Sequence, residues 1–98
     1  MTEFILLMHD DAAGDAEGGW QPYLGKLQRA GVFEGGSAIG EGACFRKVGA
    51  PAPVTTQVVG YIRVEAKSLE EATSLLAGNP VYEAGGTVEI RELPHTDE

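Results

Sequence analysis

The sequence predicts an α+β fold, an antiparallel sheet carrying two helices on one face, and three observations predict it. Between Gly60 and Leu93 a strand, a capped helix, an Asn-Pro stop, a Gly-Gly turn and a second strand follow one another with almost no spare residue. Val58 to Ala66 alternates so that Val58, Gly60, Ile62 and Val64 share one side while Val59, Tyr61, Arg63 and Glu65 share the other, the pattern of a strand with one buried face. Ninety-eight residues with 43% hydrophobic content supply one core and too little volume for two, so residues 1–98 are expected to form a single domain.

Each element has its own local reason. Phe4 to Met8 is a short apolar run closed by His9-Asp10-Asp11, of strand rather than helix length, and apolar on both sides as a central strand is. Asp10 to Gly19 is an acidic, Ala/Gly-rich loop, expected to be solvated and mobile. Trp20, Leu24 and Leu27 then recur at helical spacing, with Gly31 as the stop. Val32-Phe33 and Ser37-Ala38-Ile39 flank Gly35-Gly36 and read as a strand with a bulge. Ala43 to Val48 alternates loosely and predicts a hairpin arm, running into an exposed loop at Gly49 to Pro53, where two prolines exclude a central strand. Ser68 followed by Glu71 is a capping box that starts the second helix, whose buried stripe is Leu69, Ala72, Leu75 and Leu76, with Gly78 and Pro80 ending it. Thr87 to Leu93 is the last strand, Val88 and Ile90 opposite Glu89 and Arg91, and residues 94–98 read as a flexible tail. This βαββαβ order is ferredoxin-like and leaves one sheet face open. With Val59 and Tyr61 on that face, a homodimer closed face to face, like a dimeric α/β barrel, is the expected assembly.

Charge and composition remove several classes of function. Lys+Arg 7 against Asp+Glu 15 gives a net charge of -8, which repels nucleic-acid backbones and anionic membrane surfaces. No apolar run approaches the roughly 20 residues that span a bilayer, and Met1-Thr-Glu lacks the basic start of a secretory signal, so the cytoplasm is the expected location. Cys44 is alone and is read as a small buried hydrophobe on a strand; with two distant histidines and no Cys-x-x-Cys pair, neither a metal site nor a cofactor is expected.

The ordered set Gly-Tyr, Leu-Glu-Glu-Ala, Asn-Pro and Gly-Gly-Thr-Val-Glu-Ile-Arg resembles the C-terminal half of the YCII-related (DGPF-type) proteins. The start, Leu-Leu-Met-His-Asp-Asp, and the middle, with Trp20, Tyr23, Leu27, Ala30-Gly31-Val32 and Gly35-Gly36, extend that resemblance over nearly the whole chain. It implies a small dimeric ferredoxin-like domain. Halide elimination from a chlorinated lactone is known within the broad family, so the resemblance implies small-molecule elimination as the enzyme class. Two family features are missing here. The Asp-Gly-Pro-Phe segment is replaced by Gly49-Ala-Pro-Ala-Pro-Val-Thr-Thr-Gln57, and the first-helix His of one acid/base branch aligns with Tyr23, with no matching Asp near Gly35-Gly-Ser-Ala.

Candidate site residues follow from chemistry and placement. His9 at the mouth of the sheet is a candidate general base, but Asp10 points to the opposite side of the strand, so an orienting carboxylate must come from elsewhere. Tyr23 shares a helix face with Trp20 and is a candidate to present its hydroxyl to a cleft. Tyr61, Arg63, Glu89 and Arg91 fall together on the open face, where the two guanidinium forks suit the carboxylate of a small organic acid, or else form a structural salt-bridge set. Asp10, Asp11, Asp15 and Glu17 miss the calcium-loop spacing, and Ser37 has no visible base partner. The function these features predict is a small-molecule-binding domain, a lyase or isomerase working by acid/base chemistry in a cleft beside the dimer-facing sheet. The alternative is a noncatalytic ligand-binding or interaction module.

Overall fold

Alternation decides the sheet even where the sequence is apolar throughout. In the computed structural model, which describes residues 1–14 and 18–95, the first strand β1 (Thr2–His9) buries Phe4, Leu6 and Met8 and leaves Ile5, Leu7 and His9 half-buried on the other side. The order continues with α1 (Trp20–Arg29), β2 (Phe33–Ala38), β3 (Val58–Ala66), α2 (Leu69–Ser74), α3 (Pro80–Glu83) and β4 (Val88–Leu93). The four strands pair antiparallel in the order β2-β3-β1-β4, the ferredoxin-like arrangement, and β1 lies inside the sheet as its apolar run requires.

Helices cover one face. Leu6, Leu27, Val64 and Asn79 are fully buried, and Phe4, Met8, Tyr23, Ile62, Ala66, Ala72, Leu76 and Val81 complete the core between the sheet and the helical layer. Burying aliphatic side chains of this size stabilises by about 1.5–3 kcal/mol each, so this layer carries the fold. Helix α1 ends where Gly31, at φ 75, takes a left-handed conformation that a side chain would strain. Helix α2 starts as the capping box predicts, with the Glu71 amide donating to Ser68 Oγ at 3.1 Å, although the Glu71 carboxylate accepts from the Lys67 amide (3.0 Å) rather than from Ser68. Leu69 is exposed at the first helical position, so the buried stripe reduces to Ala72 and Leu76 with Leu75 at its margin.

Pro80 does more than stop a helix. It occupies the start of α3, where no amide hydrogen is needed, and Asn79 caps that turn by accepting from the Tyr82 amide at 3.1 Å. The expected bulge in β2 is present as a register shift between Phe33 and Gly35. At Gly36 a Cβ would stand 2.5 Å from the Tyr61 carbonyl oxygen, so only glycine permits this approach of β2 to β3.

The expectation of a strand at Ala43 to Val48 is corrected. Residues 39–57 form an arm with no regular secondary structure beyond its root, where the Ile39 amide donates to the Val59 carbonyl at 2.9 Å. Pro51 and Pro53 each remove an amide donor from the returning limb and so break the run of ladder bonds a strand would need there. Cys44 therefore lies exposed on this arm and is not a buried strand residue. The predicted flexible tail falls partly outside the described residues, at 96–98; His95, still described, places Nε2 beside the Glu3 carboxylate.

Candidate functional site

Register arranges the open face in rows. Glu3 of β1 stands between Glu65 and Leu93, Ile5 between Arg63 and Arg91, and Leu7 between Tyr61 and Glu89. His9 follows at the strand end, where pairing slips by one residue between Met8 and His9. The four open-face candidates named from the sequence thus share one surface, Arg63 and Arg91 flanking a single isoleucine.

Glu89 is the carboxylate that His9 needs. His9 Nε2 lies 3.0 Å from Glu89 Oε1, and Glu89 Oε2 accepts from Arg91 Nη1 at 3.3 Å. The hydrogen bond from His9, followed by that from Arg91, holds the Glu89 carboxyl below its usual pKa. Glu89 accordingly stays ionised near neutral pH and fixes which imidazole nitrogen faces it. His9 is neither sealed nor free, with its side chain 22% exposed.

His9 also lines a cleft of about 570 Å³ at the end of the sheet, between β2, β3 and the start of α1. Its walls are largely apolar, from Met8, Trp20, Leu24, Phe33, Tyr61, Ile62 and Val81, and its polar groups include His9, Asp10 and Ser37. Gly36 and Gly60 also line it. Trp20 meets Tyr23 edge to face, ring centroids 6.0 Å apart, and lines this space. Ser37 donates its hydroxyl to the Ala38 carbonyl at 2.8 Å, which gives it no base partner.

Tyr23 is corrected. It is 3% exposed and its hydroxyl donates to the Leu75 carbonyl at 2.8 Å, tying α1 to the end of α2 instead of entering the cleft. Desolvation raises its pKa, as suits a buried structural phenol. Sharing a face with Trp20 was legible in the spacing; which neighbour the hydroxyl meets was set by the packing of α2.

Arg63 and Arg91 do not line the cleft. Arg63 donates to Glu3 Oε2 at 2.6 Å and to the Glu34 carbonyl at 2.7 Å, so its fork is already engaged. Burial pushes Glu3 up, but hydrogen bonds from His95 and Arg63 outweigh it and hold the carboxyl below its usual range. Beside it, Glu34 is raised by its hydrogen bond and like-charge contact with Glu65. Asp11 is drawn into a latch, accepting from the Thr87 amide and hydroxyl, each at 2.7 Å, which holds the loop after β1 against the start of β4. Asp15 and Glu17 of the acidic loop lie outside the described residues. No cluster of three potential metal ligands occurs among the described residues.

Sequence reasoning named both members of the His9–Glu89 pair but gave Glu89 to ligand binding. It missed the apolar wall entirely, although Gly36 and Gly60, glycines facing large residues on paired strands, were its signal. No family model and no curated protein matches this chain. Among solved structures the chain is similar to the 5-chloro-2-hydroxyhydroquinone dehydrochlorinase TftG of Burkholderia phenoliruptrix AC1100, in complex with 2,5-dihydroxybenzoquinone, at 17% identity over 95% of each chain with a TM-score of 0.55. The likeness is one of fold, and it joins the strand order and helix placement in making this chain a small α+β domain of ferredoxin-like architecture.

Proposed function

We propose that this is a YCII-related, small-molecule-binding domain that works as a lyase or isomerase by proton transfer at His9. The carrying observation is the His9 to Glu89 contact of 3.0 Å at the rim of an apolar cleft. An imidazole whose Nε2 hydrogen is held by an ionised carboxylate has Nδ1 left to take a proton, and the carboxylate stabilises the imidazolium that results. On a cyclic substrate with an acidic C–H or O–H, that transfer leaves an electron pair to form a double bond, either shifting it within the ring or expelling an adjacent anion. Trp20, Phe33, Ile62 and Val81 would exclude water from the ring, and Glu89 with Arg91 would hold the imidazole.

The ligand class follows from the wall. An apolar lining with few polar groups favours a compact, flat molecule with one or two ionisable hydroxyls over a highly charged acid. The bound 2,5-dihydroxybenzoquinone of the structural neighbour is such a molecule. A small organic acid held by Arg91 at the rim is the secondary form of this reading, since Arg63 is engaged by Glu3. The domain acts as a homodimer, because Ile5, Leu7, Val59 and Tyr61 leave an apolar strip on the open face. Among the described residues, no helix is long and apolar enough to cross a membrane.

Proton-exchange NMR tests the assignment. Small hydroxylated ring compounds are added in deuterated water to wild type and to His9→Gln, following both cleft resonances and deuterium uptake by the ligand. Binding by both proteins with uptake slowed by about 100-fold or more in the variant is the expected result. Binding without uptake by wild type would leave the noncatalytic module, and unperturbed Trp20 and Tyr61 resonances across the panel would remove the cleft from consideration.

A further inference from the structure

His9 stands where the sheet stops holding it. Its pairing with β3 has slipped by one residue, and the β1–β4 register ends one rung earlier, at Met8 and Val88. The chain that leads into β4 is Gly85-Gly86, the residue type that loses the most freedom on being ordered. Strand ends fray, and a misplacement of about 1 Å at a reacting group can cost roughly 100-fold in rate. The ladder by itself therefore gives the His9–Glu89 pair a weak foundation on both strands.

Three hydrogen bonds to one residue supply the missing restraint. The His9 amide donates to the Thr87 carbonyl at 3.0 Å, while the Thr87 amide and hydroxyl donate to the two oxygens of the Asp11 carboxylate, each at 2.7 Å. Thr87 is thus gripped by both residues that flank Asp10, two positions before Glu89 in the chain. A carboxylate suits the grip because it has an acceptor oxygen for each donor. Hydrogen bonds from the Thr87 hydroxyl and amide outweigh burial and hold the Asp11 carboxyl below its usual range, and the charge of a protonated His9 lowers it further. Asp11 is therefore ionised near neutral pH and close enough to the imidazole to feel its charge. The cleft wall has a tie of its own. The Ala13 amide donates to the Ala84 carbonyl at 2.9 Å, and a Cβ at Gly86 would stand 3.1 Å from Ala12, so the loop packs there without the Asp11 side chain.

We propose that Asp11 is a positioning residue for the proton transfer at His9, holding Thr87 and through it the Glu89 carboxylate against the imidazole. This rests on the reading of His9 above and adds the group that keeps His9 and Glu89 together. Two readouts on wild type, Asp11→Ala and Asp11→Asn test it. The first needs no ligand: nitrogen-15 spectra of the His9 ring in alkaline buffer, where an imidazole is neutral, with His95→Gln in every chain so that one histidine remains. With Asp11 present a single tautomer is expected, its hydrogen on Nε2, and Asp11→Ala should give a mixture of both at unchanged circular dichroism. The second is uptake of deuterium by the ring compounds, which Asp11→Ala is expected to slow about 10–100-fold while ligand affinity stays within about twofold. Asp11→Asn still accepts from the Thr87 amide and has a donor for its hydroxyl, so it should restore the single tautomer and most of the rate. Thr87→Val, which lacks the hydroxyl, takes the place of Asp11→Ala if that chain fails to fold. A mixture already present with Asp11 in place, or a single tautomer kept in Asp11→Ala, overturns the proposal and leaves proton transfer at His9 standing. Asp11→Asn falling as far as Asp11→Ala overturns it too, by making the charge and not the grip the working feature. Wild type that promotes no deuterium uptake overturns the proton-transfer reading and this one with it.

Discussion

The two faces of one sheet are built from alternate residues of the same strands and do opposite work. On the helix side of β1 and β3, Phe4, Leu6, Met8, Ile62 and Val64 meet α1 and α2 and are buried. On the other side the intervening residues Glu3, Ile5, Leu7, His9, Tyr61, Arg63 and Glu65 are half-buried and arranged in rows of charge and apolar surface. The first face holds the fold; the second holds the His9–Glu89 pair. Ionisable groups on a face with limited burial keep their hydration, so site chemistry there costs little stability. The apolar cleft arises only at the end of the sheet, where both faces, α1 and β2 come together.

The largest effect should come from breaking this division on its structural side. Leu6→Ala removes a fully buried side chain and is expected to lower stability by about 2–5 kcal/mol in urea titrations. Leu7→Ala, its neighbour on the open side, should cost much less in the monomer and act on dimer affinity instead. Equal losses from the two substitutions under dissociating conditions would erase the distinction. Next in size is Ser68→Ala, which loosens the covering layer without touching either face; loss of the cap should cost about 0.5–2 kcal/mol, and a neutral result would detach α2 from the stability of the helix side.

Acid titration probes the open face together with the Asp11 latch. Glu3 and Glu89 have carboxyls held below the usual range, so their ion pairs contribute stability above the unfolded-state pKa and lose it as pH falls through the lowered folded value. Arg63→Gln should flatten that acid limb in denaturation measured from pH 7 to pH 2. An unchanged slope would mean that Glu3 draws nothing from Arg63. Glu34 has the opposite sign. Its raised pKa means stability present below the unfolded value and lost as pH rises through the folded one, so at pH 7 it is charged against Glu65. Glu34→Gln should therefore raise the melting temperature slightly at pH 7 and not at pH 3, the smallest effect of the set.

Much of this was legible one segment at a time. The alternation of Val58 to Ala66 named its own faces, Ser68 with Glu71 placed the start of α2 at the residue where it begins, and the Gly35-Gly36 pair marked the irregular strand. Such signals survive because the period of a strand, the geometry of a cap and the space demanded by a missing Cβ act over a few residues. The misreadings were all questions of what lies opposite. Cys44 looked like a strand residue, but a strand needs a ladder, and Pro51 and Pro53 deny one to the returning limb. Tyr23 sat on the expected side of α1 and still found Leu75 rather than a cleft.

By itself the sequence determined the four strands and the first two helices in their order, the buried sides of β3 and β4, and a net charge of -8. Tertiary structure alone decided that His9 meets Glu89, eighty positions along the chain, because antiparallel register across β1 and β4 sets that pair and a slip of one residue would send Glu89 to the opposite face. It alone decided that Gly36 and Gly60 line an apolar cleft, and that the arm is exposed along most of its length. Periodicity is written in neighbours; a site is written in the register between segments that neighbours do not encode.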